Sequence, residues 1–107
     1  MSDRSGSSSS LDALLQGLAS QDRRIVLRAL RDADSDTASY DMLIDALRDH
    51  SSSHHTEVTA GELLHHDILP RLKDIGLIDY DSRSRSVRYH ADPLAEAILD
   101  TIDSTRS

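Results

Sequence analysis

Residues 58–90 read VTAGELLHHDILPRLKDIGLIDYDSRSRSVRYH, and three kinds of local order follow one another in them. Leu63, Leu64, Ile68, Leu69, Leu72 and Ile75 recur at the helical period, so a helix is expected up to Ile75. Gly76 then supplies the left-handed stop that ends a helix at its C′ position. Two short apolar runs follow, Leu77–Tyr80 and Val87–His90. They are separated by a Ser/Arg/Asp segment of the kind that closes a hairpin. Thr59 with Glu62 three residues later has the form of a capping box that would start the helix. Pro70 falls inside the helical pattern. It lacks the N–H that would bond the His66 carbonyl, so the spacing predicts a kink near 66–70 or two short helices meeting there.

The chain before this stretch is helical in pattern. Leu11, Leu14, Leu15 and Leu18 form a stripe, with Ser10 as a candidate N-cap. Ser20 is a second candidate cap, ahead of a run whose apolar face is Ile25, Val26, Ala29 and Leu30. The pattern fits either one bent helix over 11–32 or a short helix followed by a longer one, the second being preferred. Arg23, Arg24, Arg28 and Arg31 fall mainly on the expected solvent face, where their stems can cover the edge of the core. Tyr40, Leu43, Ile44 and Leu47 make a further amphipathic helix capped by Ser39, and residues 50–57 are polar and aperiodic, a loop. After the hairpin, Asp92-Pro93 places an N-cap ahead of a proline at N1. Leu94, Ala95, Ile98, Leu99 and Ile102 continue as a stripe broad enough to need a partner. Residues 1–10, MSDRSGSSSS, are polar and aperiodic and are expected to form a disordered tail. The domain is then residues 11–104, mainly α with a small β-hairpin in the order α-α-α-α-β-β-α.

Composition narrows the chemistry. The 107 residues include no Cys, Trp or Phe, so disulfides and thiolate metal sites are excluded. The core must be aliphatic, helped by three tyrosines. The net charge is −7, with the acid almost entirely Asp and Lys73 the only lysine. Such an Asp-rich, Lys-poor surface resembles that of proteins from salt-loving archaea, where high salt screens self-repulsion. The charge is uneven: Arg71 to His90 carries five basic and three acidic residues, a local basic island on an acidic body. No apolar run approaches the ~18 residues of a membrane span and none forms a leader, so a cytoplasmic location without membrane contact is expected.

Carried by LPRLKDIGLIDYDSRSRSVRYH (69–90), the sequence resembles the winged helix-turn-helix domains of archaeal transcription regulators. GLASQDRRIVLRAL (17–30) and the His65-His66 pair add to the likeness. It is similar to the small haloarchaeal members and broadly to the dimeric arsenic-repressor type, over about residues 11–102. The resemblance implies a homodimer that binds double-stranded DNA and regulates transcription. Its recognition helix would be about 59–75 and its wing about 79–90. It implies groove-facing Thr59, Glu62, His65, His66, Asp67 and Arg71, and wing contacts from Arg83, Arg85 and Arg88. Arginines interleaved with serines at a hairpin tip suit phosphate contact in their own right, the guanidinium as a fork and Ser as a hydroxyl donor. The dimer would form through Leu11, Leu14, Leu15 and Leu18 of the first helix and Leu94, Ile98 and Ile102 of the last. The alternative is a protein–protein module that keeps the fold without touching DNA, motivated by the acidic body and by Glu62 and Asp67.

No metal or cofactor is expected. Adjacent histidines on a helix point ~100° apart, so neither His65-His66 nor the loop pair His54-His55 makes a natural bidentate site; one of His65 and His66 is expected to face the core. The sequence has no nucleophilic Cys, phosphate-cradling Gly-rich loop or HExxH run, and 19 scattered carboxylates carry no catalytic signal. The expectation is a protein that is not an enzyme.

Overall fold

The computed structural model describes residues 4–51 and 55–106. Two helices come first, α1 (Arg4–Gly17) and α2 (Gln21–Asp32). The 11–32 segment is thus two helices, broken where Ser20 accepts a hydrogen bond from the Arg23 N–H at 3.4 Å. The preferred short-then-long order does not hold, because α1 begins at Arg4 and runs through Ser10. Residues 1–3 of the expected tail lie outside the described residues, and Arg4–Ser10 continue α1. At the other end of α1, a Cβ on Gly17 would sit 2.6 Å from the Ile75 side chain. Glycine there lets the helix end press against the segment leading into the hairpin.

A strand that the sequence pattern missed follows, β1 (Thr37–Ser39). It pairs antiparallel with the second hairpin strand, Thr37 opposite Arg88, Ala38 opposite Val87 and Ser39 opposite Ser86. Three residues with a single small apolar member show no alternation, so only the partner strand defines them. Asp36, just before it, takes a left-handed φ of 59°, and its carbonyl accepts from the Tyr89 N–H at 2.8 Å.

Helix α3 (Tyr40–His50) starts at Ser39, whose hydroxyl accepts from the Met42 N–H at 3.1 Å. The next helical stretch has three parts. They are α4 (Glu57–Leu63), a π-helical turn (Leu64–Ile68) and α5 (Leu69–Asp74). Its cap is Thr56 rather than Thr59: the Thr56 hydroxyl accepts the Thr59 N–H at 3.1 Å and donates to the Thr59 hydroxyl. The expected capping box with Glu62 is therefore displaced by a cap one turn earlier. Pro70 explains the π turn. The Leu69 N–H reaches back to the Leu64 carbonyl, and this widened turn carries the chain past the proline without a sharp break.

Gly76 closes α5 as expected, with φ +80°. Its N–H meets the Lys73 carbonyl and the Leu77 N–H meets that of Leu72, the paired pattern of a Schellman ending. The hairpin is β2 (Ile78–Asp81) and β3 (Ser86–Tyr89). The sheet is three-stranded and antiparallel in the order β1-β3-β2. Its inner face, Ala38, Ile78, Val87 and Tyr89, joins a core filled by Leu18, Val26, Leu27, Leu30, Leu43, Leu47, Leu64, Ile68, Leu69, Leu72 and Leu77.

Helix α6 (Pro93–Arg106) opens with Asp92 accepting the Leu94 N–H at 2.9 Å. It sends Ala95 and Leu99 into the core, packs Ile98 against it, and is held further by side-chain bonds. Arg28 forks onto Asp103, Arg31 reaches Asp100 at 3.3 Å, and the Tyr89 hydroxyl donates to Glu96 at 2.8 Å. Arg28 and Arg31, three residues apart on α2, thus meet Asp103 and Asp100, three apart on an antiparallel α6. The expectation that these arginines point mainly to solvent is corrected: they join helices.

Candidate functional site

The hairpin tip is built by a carboxylate. Asp81 accepts the Arg83 N–H at 3.0 Å and the Ser84 hydroxyl at 3.3 Å, an Asx turn that folds the four connecting residues. Arg85 closes the turn in the left-handed region at φ 54°. Its carbonyl accepts the Tyr40 N–H at 3.0 Å, so the tip is pinned to the start of α3.

Tyr40 is the hub of the site. It is buried, and the His65 ring stands edge-on to it at 4.8 Å. The Arg85 guanidinium lies over the same ring at 5.3 Å, within the range of a cation–π contact. Burial, and next the charges of Tyr80 and Asp81, push the Tyr40 phenol above the ordinary tyrosine value, and Arg85 opposes them. Two predicted site residues from distant parts of the chain, His65 and Arg85, are thereby brought to one place. Of His65 and His66, one of which is expected to face the core, His65 does so only through its edge contact with the buried Tyr40, and both residues are exposed. The wide π turn sends Ile68 and Leu64 inward instead.

Asp67 points the other way. Arg23 Nη1 donates to both of its oxygens at 3.2 Å, and Arg71 Nε donates to Oδ1 at 2.6 Å. Arg23 also donates to the Gly17 and Gln16 carbonyls at 2.6 and 3.1 Å, so it caps α1 while gripping Asp67. Asp67 and Arg71 are thus tied to the α1–α2 junction, on the opposite flank of the helix from Tyr40. Between the flanks, Thr59, Glu62 and His66 fall three or four residues apart and are exposed; they form the outward ridge.

The remaining cations differ in how far they are neutralised. Arg85 pairs with Asp41 at 3.5 Å and Lys73 with Asp79 at 3.7 Å. His90 meets Asp79 at 2.8 Å, and this bond is the leading cause holding the Asp79 carboxyl below its ordinary value. Arg88 stands on the outer sheet face opposite Asp79, with Asp81 on the same face. Among the described residues, the side chains of Arg83 and Arg88 make no ion pair, and both are exposed. Sequence reasoning missed Tyr40 as an organiser and Asp41 as a charge partner. A tyrosine directly after a helix cap, at a position due to be buried, was the available signal for the first.

The expected dimer residues divide. Leu14 and Leu18 are covered by the chain's own core, and Ile98 packs half-buried against it. Leu11, Leu15 and Leu94 are exposed, and Ile102 is half-buried. Of the histidines, His55 bonds Asp22 at 3.2 Å and thereby ties the start of α4 to α2; His54 lies outside the described residues. No group of three or more His, Asp or Glu able to hold a metal ion occurs among the described residues. No helix among them is long and apolar enough to cross a membrane.

Residues 15–88 match the model of the family described as a domain of unknown function, DUF7344. The chain belongs to this family. The DUF7344 span runs from the end of α1 to β3 and so contains Tyr40, the ridge and the hairpin tip, while α6 lies beyond it. Comparison with curated proteins and with solved structures gives no match.

Proposed function

We propose that the chain is a DNA-binding transcription regulator of the winged helix-turn-helix type, akin to the arsenic-repressor-like haloarchaeal domains and working as a homodimer. The observation that carries the reading is the hairpin tip. Arg83 is exposed there without an ion pair among the described residues, on a turn locked through Tyr40 to the helix that bears His65 and His66. The order helix, strand, helix, helix, hairpin and the sheet order β1-β3-β2 agree with a winged helix. In this reading α3 and the α4–α5 stretch are the helix pair, and Thr59 and His66 on the outward ridge meet base edges. Arg83 and Arg88 meet phosphates. Leu11 and Leu15 on α1 and Leu94 on α6 are exposed apolar residues available to a second copy.

The second reading, a protein–protein module, is favoured by Glu62 on the ridge and by Asp41 and Asp67, which neutralise Arg85 and Arg71. A gel shift with sheared genomic DNA, run from low to molar salt, separates the two. The wild type should retard DNA, and Arg83→Glu with Arg88→Glu should abolish the shift. A milder pair, Arg83→Gln with Arg88→Gln, should flatten the log–log salt slope by about 3.6, roughly 0.9 for each of the four phosphate contacts a homodimer would lose. Identical binding by wild type and variants would remove the wing from the account. A wild type that retards no DNA at any salt would leave the interaction module.

A further inference from the structure

Away from the hairpin, a cavity of about 440 Å³ opens between α2, α3 and the C-terminal part of α6. The DNA-binding reading makes no use of it. Its size is that of small-molecule sites, which combine an apolar wall with a few convergent polar groups. Here Ile25, Ala29 and Ala46 form the wall, and Arg28, Asp32 and Asp103 stand on the rim. The two alanines are what leave the volume open. Arg28 already displays how it holds a carboxylate: Nε donates to one oxygen of Asp103 at 3.1 Å and Nη2 donates to the other. This fork is the arrangement arginine uses for free carboxylates. Asp32 follows Arg28 by four residues on α2, which puts the two side chains about 5–6 Å apart at Cβ on one helix face. The rim therefore sets Arg28 between two carboxylates, Asp103 that it already holds and Asp32 beside it, with Gln21 and His50 completing the polar lining above an apolar wall.

We propose that this cavity binds an α-amino acid with an apolar side chain. The side chain lies on Ile25, Ala29 and Ala46. The α-carboxylate takes the place of Asp103 on Arg28, and the α-ammonium pairs with Asp32. A simple anion fits less well, because Asp32 would repel it, and a simple amine leaves Arg28 with Asp103. Binding has a structural consequence. Asp103 pairs with Arg28 one turn beyond the Arg31–Asp100 pair, so its displacement loosens the last turns of α6.

The test is calorimetric titration of the full chain with leucine, valine and phenylalanine, beside 4-methylpentanoate, which lacks the ammonium, and 3-methylbutylamine, which lacks the carboxylate. At least one amino acid should bind at least about tenfold tighter than either truncated probe, the scale of one lost charge-assisted contact. Asp103→Asn removes the internal competitor and should tighten that binding about fivefold, the worth of one part-exposed ion pair. Ala46→Leu fills the wall and should abolish binding while circular dichroism reports an intact helical fold. Amide exchange in 100–106 should quicken on addition of the ligand. Failure of all three amino acids to bind either wild type or Asp103→Asn overturns the proposal. So does equal affinity for 4-methylpentanoate, or unchanged binding by a folded Ala46→Leu.

Discussion

Replacing Asp67 by Asn tests whether this carboxylate is part of the scaffold or part of a reading surface. Asp67 takes two bonds from Arg23 at 3.2 Å and one from Arg71 at 2.6 Å. Arg23 is only 14% exposed and Asp67 33%, whereas Arg71 is 65% exposed. A hydrogen bond to a charged group is worth about 1.5–3 kcal/mol, and the partial exposure of Asp67 discounts that. Arg23 is not stranded by the change, since it keeps the Gly17 and Gln16 carbonyls, and Asn retains one acceptor. The expected loss is therefore about 1–2 kcal/mol. For a domain of this size that lowers Tm by about 4–16 °C.

Arg71→Gln removes only the exposed i, i+4 arm and should cost less than about 0.5 kcal/mol. Arg23→Gln removes the ion pair and the α1 cap together and should cost more than Asp67→Asn. Thermal unfolding followed by circular dichroism gives the order directly, and a double-mutant cycle of Arg23→Gln with Asp67→Asn should return about 1 kcal/mol of coupling. Equal costs for Asp67→Asn and Arg71→Gln, or a coupling of zero, would refute the assignment. If Asp67 instead faced a nucleic-acid groove, its loss would leave Tm unchanged and alter binding alone.

Three further outcomes follow from the packing. Tyr89→Phe removes the bond to Glu96 and should cost about 1 kcal/mol, read as a lower midpoint in a denaturant melt. Burial, then that bond, raise the Tyr89 phenol well above its ordinary value, and the Tyr40 phenol is also raised. The unfolded chain therefore gives up these protons first, stability should fall as pH rises past about 10, the ordinary tyrosine value, and the fall should be shallower in Tyr89→Phe. Gly76→Ala meets no atom within 4 Å, so its cost is the left-handed backbone alone, about 1 kcal/mol, with Cm lowered and m unchanged. Leu11→Glu with Leu15→Glu changes exposed residues and should leave Tm within a few degrees, while sedimentation equilibrium should report a dimer for the wild type and a monomer for the variant; a wild-type monomer would end the homodimer reading.

The sequence announces those parts of the fold that local physics decides. Ser20, Ser39 and Asp92-Pro93 cap helices because a short side-chain oxygen in extended backbone answers the first free N–H groups. Gly76 ends a helix because it alone enters the left-handed region without strain. What stayed hidden depends on partners far along the chain. Thr37–Ser39 is a strand only because β3 lies beside it. Thr56 outcompetes Thr59 as a cap within a loop that has no periodicity to fix its register. The arginines of α2 read as solvated because their acceptors, Asp67, Asp100 and Asp103, are 44 to 75 residues away. The matching i, i+3 spacings of Arg28/Arg31 and Asp100/Asp103 were present in the sequence. With 16 aspartates, that match could be made many ways.

The same pairing changes what the charge count along the chain means for a polyanion. By count, residues 71–90 form a basic island. In the fold Arg71 is answered by Asp67, Lys73 by Asp79 and Arg85 by Asp41, and two of those three carboxylates come from outside the island. The positive charge that remains is that of Arg83 and Arg88, with Asp79 and Asp81 on the sheet face beside Arg88, and one unit from Arg23 and Arg71, which share Asp67. Arginines so few and so spread, on a body of net charge −7, give weak long-range attraction to a polyanion at low salt. Added salt then has opposing effects: it releases less from the contacts, and it screens the body's repulsion over a Debye length of about 3 Å at 1 M. The affinity of this surface for DNA should therefore depend on salt far less steeply than that of a basic domain of equal size. In the proposed DNA-binding reading, specificity then rests on the Thr59–His66 ridge and on the shape of the hairpin, whose tip Tyr40 pins.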